Sequence, residues 1–263
     1  MFTVKLRCKG LAGISTTACI DSVRAYPPGF AVDITLGRID MSIALDHVFI
    51  CCDEYGPEAE ALLRIGLIEG SRNVHPGQGT ANRRFFFHAG FIELLWVSNP
   101  EEAQSSLTAA TKLWPRWAAR KQGACPFGIA FSSNAADVPE PPFSAWPYRP
   151  IYLPLTKSIL FANHTTLHEP ELFYMGWSNP QASAASQPKE HANGLLRLIA
   201  ASVGIPPGTP LSASSLSAQS AGLLRFHTAT QYELTLSFEA TQSVTFDLRP
   251  TLPLIISGSR HAA

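Results

Sequence analysis

Between residues 45 and 97, the spacing at which apolar residues recur changes several times along the chain. Each spacing indicates a strand or a helix. Alternation and short apolar runs indicate strands, whereas apolar residues three and four positions apart indicate a helix. A turn of Ala89 and Gly90 separates the last two strands. The predicted order is a strand, a helix and three strands, at residues 45–50, 58–67, 68–74, 84–88 and 91–97.

The first and last strands of this stretch each carry a polar residue among apolar ones. His47 shares a strand face with Leu45 and Phe49, because side chains alternate along a strand. Glu93 lies in Phe-Ile-Glu-Leu-Leu-Trp-Val, where its neighbours on both faces are apolar. A lone carboxylate in such a strand costs free energy unless a cation, a donor or a proton compensates it. A metal held by His47 and Glu93 would do so; a hydrogen-bonded core pair, or an arginine beside Glu93, is the alternative.

A glycine-rich loop at residues 75–84 precedes the last two strands. Gly77 and Gly79 allow the backbone to approach either another chain segment or a ligand. The loop lacks the third glycine of a dinucleotide fingerprint and the Gly-Lys-Ser/Thr of a phosphate loop. The loop therefore either rims a binding site or forms a tight turn with no ligand. The candidate ligand-binding side chains are His75, Gln78, Thr80, Asn82 and Arg83.

Several motifs in this stretch resemble the glyoxalase-like branch of the vicinal oxygen chelate superfamily. They are Leu-Asp-His-Val-Phe-Ile, the helix, His-Pro-Gly-Gln-Gly-Thr-Ala-Asn and Phe-Ile-Glu-Leu-Leu. The resemblance is good over residues 43–100 and weaker afterwards. It implies an α+β fold of paired βαβββ modules, whose curved mixed sheets enclose a cleft. It also implies a divalent ion held by His and Glu from the first and last strands of the modules, although some relatives bind ligands without a metal.

The rest of the chain predicts a second module with a proline-rich insert before it. Residues 125–132 indicate a strand, and the proline-rich segment that follows carries Trp146, Tyr148 and Tyr152, which either cover a cleft or anchor the loop. From residue 191 the order is again strand, helix and strands. The predicted domains are a loosely ordered extension, a first module, the insert and a second module, at residues 1–40, 41–122, 123–190 and 191–258.

The second module offers two further metal ligands by its element order. His191 occupies a place like that of His47, and Asp247 a place like that of Glu93. The residues after His191 also suit a turn, and a salt bridge to a nearby arginine also explains Asp247. A His, Glu, His set suits Fe, Mn, Zn or Ni as a divalent ion. The expected metal ligands are His47, Glu93 and His191, with Glu93 also acting as the catalytic base.

Composition excludes some classes of partner. The chain has 20 basic and 20 acidic residues and a formal net charge of +0, so it offers no basic field for nucleic acid. Its apolar runs are shorter than the roughly 20 residues of a membrane helix. The five cysteines show no metal-binding spacing and no disulfide framework, which predicts reduced thiols and a cytoplasmic location.

These observations predict a metal-dependent lyase, isomerase or dioxygenase that acts on a small substrate with vicinal oxygens. The metal would chelate both oxygens and act as a Lewis acid. The alternative is a metal-free protein of the same fold that binds or sequesters a small aromatic or hydrophobic molecule. A homodimer is a further expectation. The metal content of the purified protein separates the two functions.

Overall fold

A computed structural model of the 263-residue chain describes residues 4–7, 33–36, 43–133, 140–163, 166–179, 181 and 186–260. The chain divides into two compact units, Met1–Asp40 and Met41–Ala263. In the first unit, strands β1 (Val4–Arg7) and β2 (Asp33–Leu36) pair antiparallel. The loose order predicted for residues 1–40 falls mostly outside the described residues and stays a prediction.

The second unit contains two β-sheets and several short helices. The larger sheet is built from β3 (Ile43–Cys51), β4 (Asn73–His75), β5 (Thr80–Phe86), β6 (Phe91–Val97), β7 (Phe127–Ser133), β8 (Ala145–Tyr148), β9 (Ile159–Ala162) and β10 (Glu171–Met175). The smaller sheet is built from β11 (Leu195–Ile205), β12 (Arg225–Thr228), β13 (Glu233–Ala240), β14 (Val244–Asp247) and β15 (Leu254–Ser259). The helices of the described residues are α1 (Ala59–Arg64), α2 (Pro100–Ala103), a 3-10 turn (Ala109–Thr111), α3 (Leu113–Ala118) and α4 (Ala213–Ser220).

The larger sheet is a mixed sheet of eight strands that curls into a half-barrel. Its strand order is β4-β5-β6-β3-β7-β10-β9-β8. The two halves match, because β3 runs parallel to β6, β7 runs parallel to β10, and β3 and β7 pair antiparallel at the centre. The first half has the predicted order of strand, helix and three strands. The predicted α+β class with curved mixed sheets is therefore confirmed.

The strands that pair with the first module differ from the predicted ones. The other half of the sheet comes from β7 to β10, between residues 127 and 175, which the sequence analysis assigned to the insert. Residues 195–259, assigned to the second module, form the separate five-stranded sheet. Element order suggested the repeat, but sheet pairing depends on contacts between distant residues that element order does not contain. The predicted pairing is corrected here, and the exact domain limits stay predictions.

One hydrophobic cluster joins the two sheets behind the half-barrel. It includes Val48 of β3 and Ile92 of β6 together with Phe238 of the smaller sheet. The ring of Phe87, just after β5, lies 4.5 Å from that of Phe238, centroid to centroid. Every residue of β6 is buried, which confirms the prediction that this strand is covered on both faces.

The helices of the described residues are short, and the longest, α4, has 8 residues. None of them, among the residues described, is long and apolar enough to cross a membrane. Asn99 caps α2, since its side chain accepts hydrogen bonds from the backbone of Glu101 and Glu102. The cytoplasmic location stays a prediction.

Candidate functional site

The concave face of the half-barrel encloses a cavity of about 470 Å³. Its apolar lining is rich in aromatic rings, among them Phe49, Phe86, Phe91, Phe161 and Phe173. Its polar lining comprises Asp46, His47, Asn73, His75, Gln78, Asn82, Arg84, Glu93, Ser178 and Gln187. A mostly apolar cavity with a few convergent polar groups is typical of a small-molecule site.

His47 and Glu93 face each other across neighbouring parallel strands in this cavity. His47 pairs with Phe91, and Phe49 pairs with Glu93, so that both polar residues lie on the same sheet face. His47 Nε2 lies 3.6 Å from Glu93 Oε2, and both side chains are 8% exposed. The imidazole stacks on the Phe91 ring at a centroid distance of 4.2 Å. The structure therefore brings together the first two of the three predicted metal ligands.

Asp46 holds His47 in one orientation. A register shift in the pairing of β3 with β7 falls between Leu45 and His47, so two consecutive residues, Asp46 and His47, line the cavity. The His47 Nδ1–H donates to Asp46 Oδ1 at 2.7 Å, and Ser178 Oγ donates to Asp46 Oδ2 at 2.7 Å. With Nδ1 directed at Asp46, Nε2 is the ring nitrogen that faces Glu93 and the cavity, and in the neutral ring it carries a lone pair.

Asn82 holds Glu93 in the same way. Asn82 Nδ2 donates to Glu93 Oε1 at 2.6 Å, and the Asn82 amide oxygen accepts from the backbone N–H of Asn73 at 2.8 Å. The second bond fixes which end of the amide points at the carboxylate. Glu93 Oε2 is left facing His47 Nε2, so each member of the pair is held by a neighbour on one side and turns its other polar atom toward its partner.

A second polar group lies at the loop that the sequence analysis selected. Gln78 Nε2 donates to Thr80 Oγ1 at 2.9 Å, and Thr80 Oγ1 lies 2.9 Å from His75 Nδ1. Burial lowers the pKa of His75, so the ring is neutral at pH 7. His75, Gln78 and Asn82 line the cavity, whereas Thr80 is outside the lining and bonds to His75 and Gln78.

Tyr152 links this group to the proline-rich segment. Its hydroxyl donates to Gln78 Oε1 at 3.1 Å, and its ring lies 5.1 Å from that of His75. Burial raises the pKa of Tyr152 well above its ordinary value, which keeps the hydroxyl protonated as a donor. Of the three aromatic residues considered as cleft covers, Tyr152 lines the cavity, while Trp146 and Tyr148 pack into an apolar cluster.

Arg83 is not part of the cavity, which corrects the sequence-based expectation. Its guanidinium binds Glu69 Oε2 at 2.5 Å and the carbonyl of Gly56 at 3.0 Å, on the opposite face of β5. Adjacent strand residues point to opposite faces, so Asn82 and Arg83 cannot both face the ligand. Arg84 shares the face of Asn82 and lines the cavity instead. The alternation of side chains along β5 is the sequence signal that identifies Arg84.

His191 does not join His47 and Glu93. Its Nε2–H donates to the carbonyl of Phe86 at 2.7 Å, and its Nδ1 accepts from the backbone N–H of Ile68 at 3.1 Å. Burial lowers the pKa of His191, outweighing the opposing effect of the bond to Phe86. Both ring nitrogens are thus bonded to backbone groups. His191 thereby connects the segment just before β11 to the first module. Asp247 forms the alternative salt bridge, at 2.5 Å from Arg249.

The donors in the cavity do not fit a metal held by three protein ligands. Within the described part of the chain, no group of three His, Cys, Asp or Glu side chains could hold a metal ion. The resemblance implies further ligands on the first and last strands of the second half. There Ala130 pairs with His47, and Phe173 pairs with Ala130, so apolar side chains occupy that row. His47 and Glu93 remain as an incomplete pair.

The curled half-barrel and its central cavity define a protein of the glyoxalase-like class. The chain belongs to the glyoxalase-like domain family, whose sequence model matches residues 45–213. This confirms the family resemblance seen in the sequence. No curated protein matches the chain.

Three solved structures share low similarity with this chain. A hypothetical protein from Staphylococcus aureus is 11% identical, with a TM-score of 0.48 and coverage of 84% of this chain and 100% of that one. A xylose isomerase-like TIM barrel/4-hydroxyphenylpyruvate dioxygenase fusion protein is 12% identical, with a TM-score of 0.41 and coverage of 76% and 36%. A mutant 4-hydroxymandelate synthase from Streptomyces coelicolor is 10% identical, with a TM-score of 0.38 and coverage of 82% and 62%. Similarity at this level carries no information about activity.

Proposed function

We propose that this protein binds a small aromatic or hydrophobic molecule in the half-barrel cavity, through the His47–Glu93 pair and without a protein-bound metal. The observation that carries the proposal is the pair itself. His47 Nε2 and Glu93 Oε2 lie 3.6 Å apart, face an aromatic cavity of about 470 Å³, and each is fixed by a neighbour. Such preorganisation lowers the entropic cost of binding.

The chemistry of the pair predicts a hydrogen-bond donor on the ligand. In the neutral ring with the Nδ1 proton on the Asp46 side, His47 Nε2 is an acceptor, and the Glu93 carboxylate is also an acceptor. Two acceptors that face each other without a donor between them are poorly solvated in an apolar cavity. A ligand hydroxyl or N–H placed between them would satisfy one or both. The stacked ring of Phe91 and the edge of Phe173 beside His47 suit a flat ligand body.

The metal-dependent enzyme is the second candidate, and one observation favours it. His47 and Glu93 lie on the first and last strands of a glyoxalase-like module, which is where the family resemblance places metal ligands. A cation between them would also offset the charge of the Glu93 carboxylate. A stable site generally needs at least three protein ligands, and among the described residues no group of three His, Cys, Asp or Glu side chains is placed to hold an ion. We therefore prefer binding without a metal.

Glu93→Gln should weaken the binding of 2-naphthol by about tenfold to a hundredfold, the range for one hydrogen bond to a charged group. The glutamine amide would donate toward His47 Nε2, so that neither side chain would remain free to accept from the ligand. Asn82 could still donate to the glutamine oxygen, and we expect the melting temperature to be maintained. Fluorescence titration of 2-naphthol, with naphthalene as the ligand lacking a hydroxyl, measures the change.

Glu239→Gln is the matched control, because it makes the same chemical change outside the cavity. Glu239 lies on the separate five-stranded sheet, where its carboxylate is 3.8 Å from Arg197. It should leave 2-naphthol affinity unchanged. Equal affinity of wild type and Glu93→Gln for 2-naphthol would show that the pair does not hold the ligand. Loss of naphthalene binding in the same variant would show that the cavity itself had collapsed.

A further inference from the structure

Arg84 places a positive charge at one end of the cavity. The residue lies on β5 next to Arg83, and its side chain lines the cavity on the same sheet face as Asn82. The guanidinium lies against two aromatic rings, 5.0 Å from the Phe86 centroid and 6.0 Å from that of Phe91. It therefore meets the rings that would contact a flat ligand.

One edge of the guanidinium is anchored, which fixes its direction. Arg84 Nε donates to the carbonyl of Ser71 at 2.9 Å, and Nη2 donates to Ser71 Oγ at 2.7 Å. Both partners are neutral oxygens. Within the described residues, no carboxylate lies within 4.0 Å of Arg84 in an ion pair, so its charge is not matched by the protein.

The neighbouring residue Arg83, in contrast, is paired with carboxylates. Arg83 contacts Glu69 at 2.5 Å and Glu60 at 3.7 Å on the outer face. Among the described residues, the carboxylate whose charge acts on Arg84 is its cross-strand partner Glu93, and Glu93 is engaged by Asn82 and faces His47. Burial lowers the pKa of Arg84, with the charge of Glu93 acting in the opposite direction. An anion beside Arg84 would offset this desolvation.

We propose that the ligand of this cavity carries a carboxylate and that Arg84 binds it. This inference rests on the proposed binding function and names the class of ligand: a flat organic acid with an apolar body. The planar guanidinium matches a planar carboxylate in two hydrogen bonds, which a point charge such as lysine does not. Asn73 and Gln187 line the same cavity and add amide groups that suit carboxylate oxygens.

The test compares 2-naphthoate with 2-naphthamide, which share size and shape and differ in charge. We expect wild type to bind the acid at least about tenfold more tightly than the amide, because a charge-assisted hydrogen bond is about twice as strong as a neutral one. Arg84→Gln should weaken 2-naphthoate binding by about tenfold to a hundredfold and leave 2-naphthol within about twofold. Arg84→Lys should give an intermediate loss, since it keeps the charge without the planar fork.

Arg72→Gln is the matched control, because Arg72 is 63% exposed and pairs with Glu69 outside the cavity. It should change neither affinity, and melting temperatures confirm that each variant is folded. Equal affinity of wild type for acid and amide, or unchanged acid affinity in Arg84→Gln, would overturn the carboxylate inference. If 2-naphthol still bound, the proposed function would stand; if neither compound bound wild type, both would be wrong.

Discussion

Gly79→Val should lower the melting temperature by roughly 6–20 °C, which corresponds to about 3–5 kcal/mol of strain and overpacking in a domain of this size. Gly79 has a φ of +73°, where a β-branched side chain is strained. An added Cβ would also lie 2.3 Å from the Asn99 carbonyl oxygen and 2.6 Å from the Ala103 nitrogen. Both contacts are to backbone, which cannot move aside as a flexible side chain can.

The same geometry decides what the glycine-rich loop does. The backbone N–H groups of Ser98 and Asn99 donate to the Gly79 carbonyl at 2.9 and 3.1 Å, so the loop packs closely against the start of α2. Gly79 therefore admits a neighbouring backbone segment, and the tight-turn alternative describes this position. The loop still contributes His75 and Gln78 to the cavity.

Gly208→Val separates the two causes of this destabilisation. Gly208 has a φ of +80°, and an added Cβ would meet nothing within 4 Å. The variant should therefore cost only the backbone strain, about 1–3 kcal/mol, and melt well above Gly79→Val in differential scanning fluorimetry. Equal melting temperatures for the two variants would contradict the packing argument.

Arg116→Ala should reduce the free energy of unfolding by about 3–5 kcal/mol, the usual effect of breaking a buried ion pair from one side. Arg116 is 0% exposed and bridges three segments. Its Nη1 donates to the carbonyls of Cys125 and Glu169 at 2.7 and 2.8 Å, and its Nη2 lies 3.2 Å from Glu171 Oε2. Truncation would leave the Glu171 carboxylate, 5% exposed, without this cation. Urea unfolding measures the loss.

Two further variants test the electrostatic cause. Arg116→Met combined with Glu171→Leu removes both charges, and it should recover part of the lost stability, because the carboxylate is removed together with its buried cation. Arg72→Ala removes an exposed ion pair and should cost less than about 1 kcal/mol. If Arg116→Ala were as mild as Arg72→Ala, the buried guanidinium would not organise the link between α3 and β10.

The first module was predictable because its signals are local. Apolar alternation around His47 and Glu93 places both residues on one sheet face, and the parallel pairing of β3 with β6 brings the faces together. The sequence analysis did not predict the other half of the sheet. Its strands β7 to β10 lie in and beside a proline-rich segment, which has no clear helix pattern to mark a second module. The strand and helix order after residue 191 is a stronger local pattern, yet it builds a different sheet.

The site shows the same division between local and long-range information. Strict alternation from Asn82 identifies Arg84 as the arginine that faces the cavity. The choice of Arg83 was therefore inconsistent with the strand pattern itself. Asp46 joins His47 through a register shift between β3 and β7, which no feature of the sequence of β3 reveals. His191 bonds to Phe86 and Ile68, more than a hundred residues earlier. The sequence alone does not distinguish a histidine held by such distant backbone groups from a metal-binding histidine.

Metal dependence of binding tests the central claim most directly. The measurement is a calorimetric titration of 2-naphthol into metal-quantified protein, with EDTA and then with added Mn²⁺, Fe²⁺, Zn²⁺ or Ni²⁺ under conditions that keep each ion soluble. We predict that the affinity changes by less than about twofold across these conditions, well under the tenfold that 1.4 kcal/mol represents, because His47 and Glu93 bind the hydroxyl themselves. Purified protein carrying about one metal ion per chain, with naphthol affinity falling about tenfold or more on its removal, would contradict the account and favour the metal-dependent enzyme.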